Sequence, residues 1–153
     1  MPEIGCGWGG FSSYLAKKYS ANITAITISK KQYEKAKHKI FKEKLCEKVK
    51  VKLLDYRDVK GTFNKIVSIE MFEAVGEKYW PTYFEVLRNN LKSDGLIGLQ
   101  TITIEDEFFQ KYRKFPDFIQ TYIFPGGMLP SIEAMNTILE SKGLCIKNKK
   151  MFG

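Results

Sequence analysis

Apolar and polar positions along the chain change period several times, and each change marks an element. One apolar residue, Ile4, precedes the run Gly5-Cys6-Gly7-Trp8-Gly9-Gly10 and reads as the stub of a first strand. Beyond it, Phe11, Tyr14 and Leu15 share one face of a helix that reaches Tyr19. Residues 22–27 are a short β-branched run and predict a strand. Ser29-Lys30-Lys31-Gln32 has capping-box spacing. The helix it opens is expected to reach Leu45, with Tyr33, Ala36, Ile40 and Phe41 inward and its lysines in water.

Residues 49–54 predict a third strand and 65–70 a fourth, apolar enough to be central in a sheet. Trp80, Tyr83, Phe84, Leu87 and Leu91 make a helical stripe, which Ser93-Asp94-Gly95 is expected to stop. Residues 96–104 predict a fifth strand. Next, residues 105–122 are aromatic and basic, and Ile123-Phe124-Pro125-Gly126-Gly127-Met128-Leu129-Pro130 is rich in turn residues. Ser131 caps a last helix to about Lys142, and 144–146 is expected to begin another strand. Strands alternating with long helices imply a parallel α/β sheet covered by helices on both faces. The first strand reads as clipped and strands are expected after the last residue, so a single domain over 1–153, truncated at both ends, is expected.

Composition narrows the partners. The net charge is +8 and the pI about 9.3. This balance favours an anionic partner such as a charged substrate, an acidic membrane surface or nucleic acid. The basic residues show no stripe interleaved with exposed aromatics, which argues against nucleic acid. No apolar run is long enough to span a bilayer, and no signal-peptide pattern is present. Cys6, Cys46 and Cys145 are few and scattered, as expected of reduced thiols in the cytoplasm. The lone His38 lies in a lysine-rich helix without other metal-binding residues, so no metal site is expected.

Candidate chemistry gathers at the carboxyl ends of the strands. Gly5, Gly7 and Gly10 have G-x-G-x-x-G spacing, and Gly5, Gly7 and Gly9 also have G-x-G-x-G spacing. Such turns let a ligand approach the backbone, and the helix start that follows favours an anionic group. A plain turn is the alternative. The second strand ends Thr27-Ile28-Ser29, without the acid that a dinucleotide ribose requires. Gln32 is either a ribose contact or the capping partner of Ser29. Glu3 either attracts an ammonium group or is a solvated strand end. Tyr56 either stacks on adenine or packs in the interior. An acid before the glycines, with no phosphate-binding lysine, suits S-adenosylmethionine better than NAD or ATP. The cofactor site is therefore expected at Glu3, Gly5, Cys6, Gly7 and Gly9, then Thr27, Ser29 and Gln32, then Asp55, Tyr56 and Arg57.

The glycine run, Thr27-Ile28-Ser29-Lys30-Lys31-Gln32, Val67-Ser68-Ile69-Glu70-Met71-Phe72-Glu73-Ala74-Val75-Gly76, Gln100-Thr101-Ile102-Thr103 and Tyr122-Ile123-Phe124-Pro125-Gly126-Gly127-Met128-Leu129-Pro130-Ser131 together resemble the cyclopropane fatty acid synthase family. The Phe-Glu and Phe-Pro-Gly-Gly blocks are its more specific parts. The resemblance implies a Rossmann-like class I methyltransferase sheet with a lipid-side aromatic and basic insertion at about 105–130. It also implies methylene transfer from S-adenosylmethionine to the cis double bond of unsaturated phospholipid acyl chains, with bound bicarbonate as base.

By the same resemblance, bicarbonate is held by Glu73 and by the carbonyl of Ile69; a start-of-helix carboxylate is the alternative for Glu73. Gln100 stands where many members carry His, and Gln cannot take up a proton. A Cys from before the glycine run and a Tyr from the C-terminal region, both near the anion in the family, have no counterpart here. Peripheral association with an anionic membrane and a possible homodimer complete the expectation. The competing readings are a methyltransferase of another lipid or of a small amine, a nucleic-acid-binding domain, and a non-catalytic piece of a split enzyme.

Overall fold

A computed structural model describes residues 1–152. By packing, these fall into two compact units, Met1–Met71 with Asn89–Thr101, and Phe72–Arg88 with the residues from Ile102 onward.

The first unit is built on five strands, β1 (Pro2–Ile4), β2 (Ile23–Thr27), β3 (Val49–Leu53), β4 (Phe63–Ile69) and β5 (Leu91–Gln100). All pairs are parallel, in the order β3-β2-β1-β4-β5. Helices α1 (Gly10–Tyr19) and α2 (Lys30–Lys42) connect the first three strands. From β1 the chain steps outward through β2 to β3, then returns to the other side of β1 for β4 and β5. That reversal between β1 and β4 puts a ligand crevice at the carboxyl ends of the central strands. Cys6, Ala16, Ile23, Ala25, Ile40, Leu45 and Val49 form one buried cluster.

Helices α1 and α2 form where periodicity places them, but their buried faces differ from expectation. In α1 the buried residues are Ser12, Ser13 and Ala16, while Tyr14 is half exposed. Small residues let the helix lie close to the sheet, and the Ser12 and Ser13 hydroxyls are bonded to the carboxylates of Glu3 and Glu43. In α2, Ala36 and Ile40 are buried, whereas Phe41 is 71 % exposed. The apolar stripe of α2 ends at Ile40, and Glu43 closes the helix by donating its N–H to the Lys39 carbonyl.

The second unit holds α3 (Trp80–Asn89), α4 (Asp106–Lys114) and α5 (Ile132–Ser141). Its aromatic core joins Phe72 to Trp80, Tyr83 and Phe84 with ring centroids 5.0 to 5.3 Å apart. Such contacts contribute about 0.5–1.5 kcal/mol each beyond area burial. Ser131 caps α5 by accepting from the Ala134 N–H at 3.2 Å. A π-helical turn, Ile119–Ile123, follows α4, bracketed by reciprocal bonds between Asp117 and Gln120.

Two boundaries correct the sequence reading. Leu91 is the first residue of β5, opposite Phe63, and α3 ends at Asn89. The Ser93-Asp94-Gly95 turn then lies inside β5 as an irregularity, where the register moves from Phe63↔Leu91 to Lys65↔Leu96. Gly95 permits it, since a Cβ there would fall 2.7 Å from the Leu91 side chain. Strand β5 also stops at Gln100 rather than Ile104, and 144–146 form no strand. No helix among the described residues is long and apolar enough to cross a membrane.

Candidate functional site

The glycine turn is tied to β2 at its start. The N–H groups of Gly5 and Cys6 both donate to the Ile26 carbonyl, at 3.1 and 2.8 Å. Gly5, Gly7 and Gly9 have φ of +75, +51 and +77°, in the left-handed region that side chains disfavour. The backbone therefore uses the G-x-G-x-G register, and Gly10 simply begins α1. Gly5 also admits Met71, whose Cγ lies 2.5 Å from where a Cβ would be, and Gly9 abuts Ala36 at 3.1 Å. At Gly7 nothing lies within 4 Å of that position. Gly5 and Gly9 are thus packed against protein, while Gly7 borders open space. Helix α1 has no side-chain cap at Gly9, so its first N–H groups favour an anionic ligand group.

Glu3 is 2 % exposed, which overturns the solvated strand end. Its carboxylate accepts from Ser12 Oγ, a partner the sequence reading missed. Burial pushes the carboxyl up to about 7, against the opposing pull of the Ser12 bonds. Cys6 is buried too, and burial, then the charge of Glu3, push its thiol up to about 12.

After β2, Thr27 Oγ1 donates to Gln32 Oε1 at 2.7 Å and accepts from the Ser29 N–H at 3.2 Å. Ser29 Oγ accepts from the Gln32 N–H at 3.3 Å. The N-cap half of the box is made, while the Gln32 side chain turns to Thr27 instead of the Ser29 backbone. After β3, Asp55 caps the turn Tyr56–Asp58 and binds Arg57 through both carboxylate oxygens, at 2.9 and 2.7 Å. The Arg57 guanidinium holds the Asp55 carboxyl below its usual range and lies 5.9 Å from the Tyr56 ring centre. The eleven residues expected at the cofactor thus all lie in the first unit, within or just after β1, β2 and β3.

Ile69 closes β4 opposite Gln100, the last residue of β5. Between Ile69 and Met71, Glu70 has φ +49°, and its carboxylate accepts from Gln100 Nε2 at 3.0 Å. Sequence reading singled out neither Glu70 nor Met71, because both contacts depend on pairing β4 with its neighbours.

Glu73 belongs to the second unit, in the turn Phe72–Ala74. It does not start α3, which begins at Trp80. Its Oε1 accepts from the Ile102 N–H at 2.5 Å and its carbonyl from the Met128 N–H at 2.9 Å. Its Oε2 is buried with no protein partner. Gly127 packs closely beside it, and a Cβ there would lie 3.2 Å from the Glu73 carbonyl oxygen. The Phe-Glu and Pro-Gly-Gly blocks are therefore in direct contact. A buried carboxylate oxygen without a partner is costly unless a ligand or water meets it.

A parallel sheet in the order β3-β2-β1-β4-β5, with a glycine turn after β1, is the architecture of class I S-adenosylmethionine-dependent methyltransferases. The crystal structure of the mycolic acid cyclopropane synthase CmaA1 complexed with SAH and CTAB superposes on 96 % of this chain and 55 % of that one. Its TM-score is 0.85 and its identity 28 %.

The family model for mycolic acid cyclopropane synthetase matches residues 1–153, and the chain belongs to that family. The cyclopropane-fatty-acyl-phospholipid synthase of Escherichia coli is 40 % identical over 85 % of this chain and 32 % of its own length. The tuberculostearic acid methyltransferase UfaA1 of Mycobacterium tuberculosis is 38 % identical over 87 % of this chain and 31 % of its own length. The chain thus spans about a third of these two relatives.

Proposed function

We propose that the chain carries the cofactor-binding part of an enzyme of cyclopropane fatty acid synthesis, which transfers a methylene or methyl unit to the cis double bond of unsaturated phospholipid acyl chains. The observation that carries the proposal is the glycine turn, open at the left-handed Gly7 while Gly5 and Gly9 are packed against protein, in a chain whose whole length matches the cyclopropane synthetase family. The residues fit S-adenosylmethionine, because the backbone is bare where a ligand must approach and the helix start beyond it is uncapped. When bound, S-adenosylmethionine supplies an electrophilic methyl group. Glu3, Gly5, Cys6, Gly7 and Gly9 shape the turn. Thr27, Ser29 and Gln32 present hydroxyl and amide groups to the ribose, and Asp55, Tyr56 and Arg57 border the adenine.

Glu73 is proposed to meet bicarbonate, which supplies a base when bound, and the resemblance offers Ile69 and Gln100 of the first unit as further candidates for it. The partnerless Glu73 Oε2 supports this, since it can accept from an O–H. The enzyme works on a membrane surface from the cytoplasm, as a monomer or homodimer. Lys111 and Lys114 in the second unit and, separately, the lysines of α2 in the first are the proposed contacts for anionic headgroups.

A second reading is plain methylation of a lipid chain, favoured by the resemblance to the tuberculostearic acid methyltransferase. Incubation with methyl-labelled S-adenosylmethionine and vesicles of cis-unsaturated phospholipid, followed by mass spectrometry of the acyl chains, separates the two. A ring product is expected, with Glu73→Gln lowering its yield at least tenfold. Branched product without rings would favour plain methylation. Ring formation unchanged in Glu73→Gln would remove Glu73 from the site.

A further inference from the structure

Glu70 is a glutamate held in a left-handed backbone conformation at the carboxyl end of a central strand. Its φ is +49°, and the only other non-glycine residues of positive φ among the described ones are Ser20 and Lys44. Ser20 follows α1 and Lys44 follows α2, where left-handed residues end helices. Glu70 follows no helix. The conformation costs about 1–2 kcal/mol for a residue with a Cβ, and glycine would relieve it. A side chain kept at such a position is expected to serve something other than local backbone preference.

The contacts of Glu70 are specific. Its N–H donates to the Gln100 carbonyl at 2.9 Å, continuing the β4–β5 ladder by one bond. Its carboxylate accepts from Gln100 Nε2 at 3.0 Å. Backbone and side chain of one residue thus hold the same partner. A carboxylate can only accept, so the bond decides which end of the Gln100 amide faces Glu70. The nitrogen meets the carboxylate, and the carbonyl oxygen points away from it. Without that partner the two ends of a glutamine amide are nearly equal in size and exchange freely.

We propose that Glu70 is a positioning residue for Gln100, fixing its amide so that Oε1 is presented as a hydrogen-bond acceptor beside the end of β4. The proposal rests on the role given to Gln100 above. It adds that the site next to Ile69 offers an acceptor, suited to a ligand bearing an O–H, and that Glu70 and Gln100 act as a pair. Glutamine at this place then works only in company with an acceptor at position 70.

The test uses the whole chain, with glutamine side chains labelled with 15N and the Gln100 signals assigned by their loss in Gln100→Ala. In Glu70→Gly the two Gln100 amide protons are expected to move toward the positions of a free amide, and thermal stability to hold or rise. Glu70→Gln keeps an acceptor oxygen and is expected to retain the shifted signals. In the phospholipid assay Glu70→Gly is expected to lower kcat about tenfold with KM for S-adenosylmethionine unchanged, and Glu70→Gln to restore it. Gln100 signals indifferent to Glu70→Gly would overturn the pairing, as would Glu70→Gln behaving like Glu70→Gly. Absence of methyl transfer by the unaltered chain would count against the proposed function, and the amide signals would still decide the pairing.

Discussion

Gly7 differs from its neighbours in what surrounds it. Gly5 is held by Met71 and Gly9 by Ala36, whereas the space beside Gly7 is open and its φ is +51°. Substitution at Gly5 or Gly9 disturbs packing, while substitution at Gly7 reaches the ligand side. Gly7→Val is expected to abolish calorimetric binding of S-adenosylmethionine and of its demethylated product. Strain at the left-handed position should lower stability by only about 1–2 kcal/mol. Tighter binding of NAD than of S-adenosylmethionine by the unaltered chain would sink the cofactor assignment. The glycine spacing was readable in the sequence. The choice between its two registers was not, because it turns on Gly9, which packs against Ala36 of the following helix.

At the scale of elements, periodicity served best where one face is uniformly buried. The Trp80, Tyr83, Phe84 and Leu87 stripe is an example, since all four are buried in α3. It failed where long-range pairing overrides local preference. Ser93-Asp94-Gly95 has the signature of a helix stop, yet pairing with β4 absorbs it into β5. Leu144 and Ile146 have strand-forming side chains but no neighbouring strand among the described residues, and they remain irregular.

The segment from α4 through the π-helical turn exposes Phe108, Phe115, Phe118, Ile119, Tyr122, Ile123 and Phe124 beside Lys111 and Lys114. An apolar stretch of this size is expected to meet a partner. Sedimentation with vesicles should show binding to anionic lipid that weakens as salt rises, because exposed charges more than about 10 Å apart are screened at 0.1 M. Phe118→Ser with Tyr122→Ser should weaken it further at every salt concentration. Equal binding to neutral and anionic vesicles would contradict the role of the lysines.

For the molecule as a whole, the buried Glu3 sets a pH dependence of stability. Its carboxyl titrates at about 7 when folded, against an ordinary value of 4.5. A raised acid favours the folded state fully below 4.5, and that contribution is lost as pH rises toward and through 7. The loss is on the order of 3 kcal/mol. Glu43 acts in a lower window, since Lys39, then Ser13, hold it down to about 2, and its contribution disappears as pH falls below 4.5. Thermal melts between pH 5 and 8 should therefore show the unaltered chain losing stability relative to Glu3→Gln as pH rises. Parallel curves would show that Glu3 does not titrate in this range.

The three-residue strand β1 is the seam of the sheet, with β2 on one side and β4 on the other. On the β4 side the buried Ser68 hydroxyl donates to the Ile4 carbonyl across 64 positions of sequence. Closing so long a loop loses more chain entropy than joining β1 to β2 or β4 to β5. The halves β1-β2-β3 and β4-β5 thus have reason to assemble separately before they meet. Met71 reaches Gly5 only when they meet, so the glycine turn takes its final shape once both halves are in place. A ligand that binds the finished turn favours their meeting by mass action. Cofactor supply would then govern how much of the newly made chain is complete, before any chemistry begins.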